Sequence, residues 1–304
     1  MTTSQAARLS AFRSDEGKAT YLTAYDAVLK EWPVPFEELD LPTRFGTTHV
    51  VASGSPRAPP LVLLPSLAAG APVWRPNVAA LDAHYRVYAV DVIGQPGKSV
   101  QTKKMRTQAD LAAWLSDLLD ALGVRSTSFV GCSYGGFIAM NQALLAPERV
   151  QRVVLIGPAG VFVGLQWSLI IRGMFRGLLR KLFAPKRRRD IAELLGPQAR
   201  FRPEDARWRE LMNVMMTVAA IPNTLWVRAF TDAELAAVRA PTLLLIGEHE
   251  QLYVPATLEL AKRRMPGLTG AVIADAHHIA ALAQPEDVNR RILEFLGAGT
   301  SGRS

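Results

Sequence analysis

The sequence predicts an α/β protein with a doubly wound, mostly parallel sheet, and three observations support this fold class. Short apolar runs typical of buried strands alternate along the chain with amphipathic stretches typical of helices. The runs PPLVLLP at 59–65 and YRVYAVDV at 85–92 are almost continuously apolar, as expected of strands covered on both faces. The chain has 304 residues and is 49% hydrophobic, enough for one large domain with an insertion.

The N-terminal part of the chain predicts a helix followed by two antiparallel strands. A helix-start signal stands at Ser14, apolar and aromatic residues follow near helical spacing, and prolines after Trp32 end the pattern. We expect this preface helix, residues 1–35 as a unit, to pack on the outside of the domain. Residues 36–41 and 44–52 then predict the two antiparallel strands.

The remaining elements follow from the same alternation of patterns. The predicted helices span 71–83, 107–122, 254–264 and 285–296, and the predicted further strands span 150–156, 242–246 and 271–273. The segment 126–143 combines a strand with a helix. Residues 161–231 break the alternation, which indicates an insertion.

The segment 126–143, STSFVGCSYGGFIAMNQA, contains the pattern Gly-x-Ser-x-Gly. A β-branched and aromatic run enters it and a helical pattern leaves it, which is the context of a nucleophile elbow. Gly131 and Gly135 allow the strand and helix backbones to approach more closely than a Cβ permits. Such a turn exposes the hydroxyl of Ser133 beside a helix N-terminus, where N–H groups favour negative charge. The alternative is a Gly-rich turn with a bystander serine.

On this motif and its context, the chain resembles a serine hydrolase of the α/β-hydrolase fold, from about Pro35 to Leu296. The resemblance implies a core formed by residues 36–160 and 232–304. It also implies that residues 161–231 form a helical cap, inserted after the sixth strand, over the active site.

The resemblance implies a catalytic histidine after the last strand, and His277 and His278 lie there. In the family the base stands seven residues before the proline of the Gln-Pro pair that opens the last helix. That proline is Pro285, so the spacing selects His278. His277 is the alternative and is expected to point into the sheet edge or the solvent.

The resemblance also implies a carboxylate just after the penultimate strand. The family has a glycine, two residues, the acid and a later proline, and Gly247-Glu248-His249-Glu250 followed by Pro255 matches this pattern. Glu250 thus takes the place usually held by aspartate. It has the same charge and one more methylene, so the loop has to be set back slightly. Glu248 is the alternative acid.

An oxyanion hole needs backbone N–H groups aimed at the developing negative charge. The family takes one from the residue after the nucleophile, here Tyr134, and one from the loop after the PPLVLLP strand, here Leu67. The family carries His-Gly just before that second donor, whereas this chain has Pro65-Ser66. Proline removes the hydrogen bonds with which the histidine braces the loop, and serine restricts the backbone.

The net charge of +8 is concentrated in the insertion, where residues 161–230 hold thirteen Lys/Arg and five Asp/Glu. Arg172, Arg176 and Arg180 form one stripe at helical spacing. A solvated basic face is the first interpretation, and contact with a membrane surface or another anionic partner is the alternative. The basic run 186–189 has no nucleic-acid-binding motif around it, so no nucleic acid is expected as a partner.

Large apolar side chains in the insertion predict an apolar substrate pocket. The candidate pocket residues of the insertion are Trp208, Met212, Met215 and Trp226, and Ser66, in the loop after the PPLVLLP strand, is a further candidate through its hydroxyl. The alternative is that the apolar cap residues simply pack on one another.

Cys132 is the only cysteine of the chain, which excludes an internal disulfide. Beside the candidate nucleophile we expect it to be a small buried hydrophobe and not a reactive thiol. The N-terminus has no apolar core of the signal-peptide kind, so we expect a cytoplasmic protein. The uncharged stretch 153–171 is long enough to span a membrane, but glycines and a proline interrupt it. We expect a strand, a loop and the start of a helix there.

The resemblance implies an esterase that cleaves carboxylic esters through an acyl-enzyme, with a Ser133–His278–Glu250 triad and without a metal or organic cofactor. The same residues could cleave amides, lactones or C–C bonds. A hypothesis of another class is a non-catalytic ligand-binding protein on this fold, for which the Pro65-Ser66 departure is the only support.

Overall fold

The computed structural model describes residues 9–164, 202–220, 225, 227–250 and 257–297. The basic residues 172–189 and Trp226 lie outside them, as does most of the predicted cap at 161–231. Contact of the basic segment with an anionic surface therefore stays a prediction, and so does the division of the chain into core and cap.

The described residues form a nine-stranded sheet with the order β1-β2-β4-β3-β6-β7-β8-β9, in which β5 pairs with β2. Its strands are β1 (Phe36–Thr43), β2 (Gly46–Ser53), β3 (Pro60–Leu64), β4 (Arg86–Val90), β5 (Val100–Gln101), β6 (Thr127–Cys132), β7 (Val150–Ile156), β8 (Thr242–Gly247) and β9 (Thr269–Ile273). From β4 through β3, β6, β7 and β8 to β9, neighbouring strands pair in parallel. Strand β2 pairs antiparallel with β1, β4 and β5. The mostly parallel sheet is confirmed. The two-residue β5 makes Val150–Ile156 the seventh strand rather than the sixth.

Helices connect the parallel strands. They are α1 (Asp15–Leu29), α2 (Arg75–Asp82), α3 (Gln108–Ala121), α4 (Tyr134–Leu145), α5 (Ala206–Val218), α6 (Asp232–Ala237), α7 (Thr257–Arg264), α8 (Ala280–Ala283) and α9 (Pro285–Gly297). The start of α1 matches its sequence signal, and α3 begins with a cap that the sequence patterns did not single out. Ser14 caps α1 through its side chain, and Thr107 and Asp110 form a capping box at α3.

Helices cover both faces of the sheet, as its apolar strands predict. Along β3, Leu61 and Leu63 join one hydrophobic cluster while Val62 and Leu64 join the other. The first cluster includes side chains of α1, α2, α5, α8 and α9, and the second those of α3, α4, α6 and α7. The alternation along one strand therefore divides the core into two layers.

The preface helix α1 is more deeply built into the molecule than the sequence predicts. Tyr21 and Tyr25 are fully buried in the first cluster, in which α5 also takes part. Just before α1, Phe12 forms an antiparallel bridge with Ala219, directly after α5. Residues far apart in the sequence thus form one layer on this face.

The uncharged stretch 153–171 begins as the end of β7 and continues as a turn region to residue 164. Its remainder, where we expect the start of a helix, lies outside the described residues. Among the described helices, none combines the length and the apolarity needed to span a bilayer.

Candidate active site

The turn between β6 and α4 places Ser133 at the carboxyl end of β6. Ser133 has φ +51° and ψ −111°, a strained conformation for a residue with a side chain. A Cβ on Gly131 would lie 2.4 Å from the carbonyl oxygen of Gly135, so the strand and the helix do pass too closely for a side chain. A Cβ on Gly135 would lie 2.0 Å from the carbonyl oxygen of Leu64. The second glycine thus makes room for β3, a contact that the motif alone does not indicate.

The imidazole of His278 lies between a hydroxyl and a carboxylate. Its Nε2 is 2.8 Å from Ser133 Oγ, and its Nδ1 is 2.8 Å from Glu250 Oε2. The tautomer with its proton on Nδ1 donates to the carboxylate and accepts from the hydroxyl. Ser133 is 7% exposed, and the side chains of His278 and Glu250 are 14% and 3% exposed, so water screens the contacts little.

Hydrogen bonds between the loops after β8 and β9 fix Glu250 relative to His278. The Glu248 N–H donates to the Ile273 carbonyl at 2.9 Å, and the His249 N–H donates to the Ala276 carbonyl at 2.9 Å. Gly247 permits this approach, because a Cβ there would lie 2.5 Å from the carbonyl oxygens of residues 276 and 277. The acid and the imidazole are therefore held through backbone groups on both loops.

The alternative residues occupy different surroundings. His277 is buried, its Nδ1 accepts from the Ile279 N–H at 3.2 Å, and burial lowers its pKa to about 4. Glu248 is exposed, and its Oε2 accepts from the Asp275 N–H at 3.0 Å. The histidine bonded to Ser133 is thus His278, and the carboxylate bonded to His278 is Glu250.

Gly157, directly after β7, is a site residue that the sequence patterns did not single out. It has φ +49°, and a Cβ on it would lie 3.0 Å from Glu250 Oε2 and 3.3 Å from His278 Nδ1. In the sequence this glycine is only one of the residues that interrupt the uncharged stretch 153–171. Its position directly after the strand next to the elbow strand was the available signal.

The loop after β3 approaches the elbow and contains a tight turn. The Ser66 carbonyl accepts from the Ala69 N–H at 3.1 Å, and Ala68 has φ +59°. Ser66 is 7% exposed and its hydroxyl donates to Cys132 Sγ at 3.2 Å, so this side chain faces the elbow strand. Within the described chain, the backbone N–H groups of Leu67 and Tyr134 donate to no protein acceptor.

Two residues of the loop after β4 accept hydrogen bonds from the loop after β3. The Gln95 side-chain oxygen accepts from the Ala68 N–H at 2.7 Å, and Asp91 Oδ1 accepts from the Ala71 N–H at 2.7 Å. Asp91 is fully buried, and this burial raises the pKa of its carboxyl although several hydrogen bonds oppose the shift. Neither residue is predicted from the sequence to have a role.

The candidate pocket residues on α5 pack against the rest of the molecule. Trp208, Met212 and Met215 are at most 7% exposed and belong to the first hydrophobic cluster together with residues of α1. A role in substrate binding stays a prediction for them. The Tyr134 hydroxyl donates to the Leu225 carbonyl at 3.1 Å, which connects the elbow to the insertion.

Glu248, His249 and Asp275 place potential metal ligands within 4.8 Å of one another among the described residues. Glu248 and Asp275 are exposed. Exposed groups of this composition are common without a metal, so we assign them no role.

A family model described as the alpha/beta hydrolase fold matches residues 59–285 of this chain. The chain is 35% identical to carboxylesterase YbfK of Bacillus subtilis over 295 residues, 95% of this chain and 97% of that protein. It is 34% identical to the uncharacterized carboxylesterase nap of Bacillus subtilis over 291 residues, 94% of this chain and 95% of that protein.

Solved structures agree with these sequence matches. The crystal structure of carboxylesterase CesB (YbfK) from Bacillus subtilis superposes with a TM-score of 0.82 at 34% identity, covering 93% of this chain and 99% of that one. The crystal structure of naproxen esterase (carboxylesterase NP) from Bacillus subtilis gives a TM-score of 0.79 at 33% identity, with the same coverage.

Proposed function

The chain belongs to the α/β hydrolase family as a carboxylesterase-like enzyme, and from this premise we propose that it cleaves esters by two-step acyl transfer through Ser133. The observation that carries the proposal is the position of His278, with one nitrogen 2.8 Å from Ser133 Oγ and the other 2.8 Å from Glu250 Oε2. A serine hydroxyl is a poor nucleophile until an adjacent base takes its proton, and the base works best when a third group orients it.

In the first step Ser133 Oγ forms a bond to the ester carbonyl carbon while its proton passes to His278 Nε2. Glu250 holds the proton on Nδ1 and stabilises the imidazolium that forms, without being protonated itself. The tetrahedral intermediate then expels the alcohol, which takes the proton from Nε2. An acyl-enzyme on Ser133 remains.

In the second step water gives a proton to His278 Nε2 and attacks the acyl carbon, and the acid leaves as Ser133 regains its proton. Both tetrahedral intermediates place a negative oxygen where backbone donors are needed. We assign this role to the N–H groups of Tyr134 and Leu67. Both groups lack a protein acceptor in the described chain, which leaves them available to a ligand.

The proposed substrates are small carboxylic esters with an apolar acyl or alcohol group. The many apolar residues in the sequence of the insertion support this substrate class, and Leu67, at 42% exposure, adds an apolar side chain beside the proposed hole. One relative is named a naproxen esterase, so a naproxen ester belongs in the substrate panel beside short-chain chromogenic esters.

A fluorophosphonate probe followed by peptide mapping tests the nucleophile without a guess about the substrate. We expect one label on Ser133, and no label and no ester hydrolysis in Ser133→Ala. Ser128→Ala is the matched control, because Ser128 lies on β6, the strand that leads into Ser133, and is equally buried at 7% exposure. Hydrolysis by Ser133→Ala, or a label on another residue, would overturn the proposal. Ligand binding without any labelling would favour the non-catalytic hypothesis.

A further inference from the structure

The turn that presents Leu67 contains a residue in an unfavourable backbone conformation. The hydrogen bond from the Ala69 N–H to the Ser66 carbonyl closes a four-residue β-turn, and its third residue, Ala68, has φ +59°. This is the turn type in which glycine or asparagine is preferred at the third position. Alanine is strained there because its Cβ crowds a carbonyl oxygen. The conformation therefore needs support from outside the turn.

Gln95 supplies a hydrogen bond to the central peptide of this turn. The peptide between Leu67 and Ala68 carries the Ala68 N–H, which donates to Gln95 Oε1 at 2.7 Å. Ala68 is 2% exposed and Gln95 is 4% exposed, so the bond lies in a medium where hydrogen bonds are strong. If Ala68 had a negative φ, the turn would be of the other common type, in which the Leu67–Ala68 peptide is rotated by about half a turn. The Leu67 carbonyl would then point toward Gln95 in place of the Ala68 N–H. That rotation would break the bond to Gln95.

We propose that Gln95 is a positioning residue of the oxyanion hole. By holding the Leu67–Ala68 peptide it fixes the Cα of Leu67, and with it the adjoining Ser66–Leu67 peptide, whose N–H is the proposed donor. The inference rests on the proposed function, in which the Leu67 N–H stabilises the oxyanion. Gln95 does not have to touch the substrate in this role.

The surroundings of the turn leave this support to Gln95. Pro65 has no N–H, and the Ser66 side chain is engaged with Cys132 at 3.2 Å. Asp91 holds the far end of the loop through the Ala71 N–H at 2.7 Å but does not reach the central peptide. The hydrogen bond that stabilises this turn thus comes from the neighbouring loop after β4, because Pro65 and Ser66 supply none to the central peptide.

A matched pair of glutamine substitutions tests the inference. Gln95→Met keeps the length of the side chain and removes the acceptor. Gln101→Met is the control, because Gln101 is also buried, at 7% exposure, and its amide bonds to no described residue. An oxyanion donor is worth about 10²–10³ in kcat, and a small misplacement costs part of that. We expect Gln95→Met to lower kcat about 10- to 100-fold with KM little changed, and Gln101→Met to resemble the wild type.

Two further readouts separate positioning from general destabilisation. A trifluoromethyl ketone forms a hemiketal oxyanion with the nucleophile, so its affinity should fall in Gln95→Met by a factor similar to the fall in kcat. Ala68→Gly should restore part of kcat in the Gln95→Met background, because glycine adopts positive φ without strain. If Gln95→Met does not fold, Gln95→Asn tests the same hydrogen bond. The asparagine side chain is one methylene shorter, so its amide oxygen does not reach the Ala68 N–H.

Three outcomes would overturn the inference: equal kcat values in Gln95→Met and Gln101→Met, an unchanged ketone affinity, or a loss that Ala68→Gly does not relieve. Ser133→Ala distinguishes this failure from failure of the proposed function. If Ser133→Ala is inactive while Gln95→Met resembles its control, only the inference on Gln95 fails. If Ser133→Ala hydrolyses esters, the proposed function itself fails.

Discussion

Gly157 lies directly against the carboxylate of Glu250. A Cβ on residue 157 would stand 3.0 Å from Glu250 Oε2 and 3.0 Å from the His278 carbonyl oxygen, which is tight for a Cβ contact. Glutamate is one methylene longer than the aspartate usual at this place in the family, so its carboxylate needs additional room beside the imidazole. The missing side chain at Gly157, on the neighbouring strand end, provides that room.

Gly157→Ala should therefore impair the reaction more than it impairs folding. The new methyl group would displace Glu250 or His278, and misplaced reacting groups cost up to about 100-fold in rate. The control is Gly123→Ala, because Gly123 also has a positive φ, +69°, but an added Cβ meets nothing within 4 Å. Both variants should lose about 1 kcal/mol of stability from backbone strain, and only Gly157→Ala should lose kcat. Equal kcat in the two variants would contradict this role of Gly157.

Substitutions of Glu250 test both its charge and its length. Glu250→Gln keeps the shape but no longer favours the proton on His278 Nδ1, and the equivalent change in serine proteases costs about 10⁴ in kcat. Glu250→Asp keeps the charge but shortens the side chain that makes a 2.8 Å contact, so an intermediate loss is expected. Glu248→Gln, in the exposed neighbour on the same loop, should leave steady-state ester hydrolysis near the wild-type rate. A large loss in Glu248→Gln with an active Glu250→Gln would reverse the assignment of the acid.

The sequence predicts the contacts that motifs encode and misses those that depend on strand order. Ser133 follows from a five-residue pattern, and His278 follows from its spacing to Pro285, so both can be proposed from the sequence alone. The bond between Ala68 and Gln95 requires that β3 and β4 are neighbours, which places the loops after both strands side by side. An alternation of strands and helices predicts a parallel sheet but not which strands are adjacent.

Burial also separates residues that look alike in the sequence. His277 and His278 are adjacent, and in the sequence only the family spacing distinguishes them. The fold gives them different surroundings: His277 is buried and its Nδ1 accepts from the Ile279 N–H, whereas His278 lies between Ser133 and Glu250. The preface helix shows the same limit, since its pattern predicts its ends well but not the complete burial of Tyr21 and Tyr25.

The thiol of Cys132 should be inert in the folded enzyme. Burial raises its pKa to about 12, and the nearby charge of Glu250 acts in the same direction, while the Ser66 hydroxyl opposes the shift. Because the thiolate is the reactive form, a disulfide reagent at about pH 8 should find no thiol in the native protein and one thiol per chain after denaturation. The readout is unambiguous, since the chain has one cysteine. Fast reaction of the native protein, absent in Cys132→Ala, would contradict the burial.

The buried imidazole of His277 should make the folded state sensitive to mild acid. Burial lowers its pKa to about 4, the neighbouring His278 acts in the same direction, and Glu250 opposes the shift. The pKa in the unfolded chain is about 6.5, so between about pH 6.5 and pH 4 the unfolded state binds more protons than the folded state. The free energy of unfolding should therefore fall by about 3 kcal/mol as the pH drops through this window, and this residue should contribute no slope above it. Denaturant titrations of the wild type, His277→Asn and the exposed-site control His84→Asn measure the effect. The control should keep the wild-type slope and His277→Asn should lose most of this contribution, whereas parallel curves for all three proteins would show that His277 is not the group being titrated.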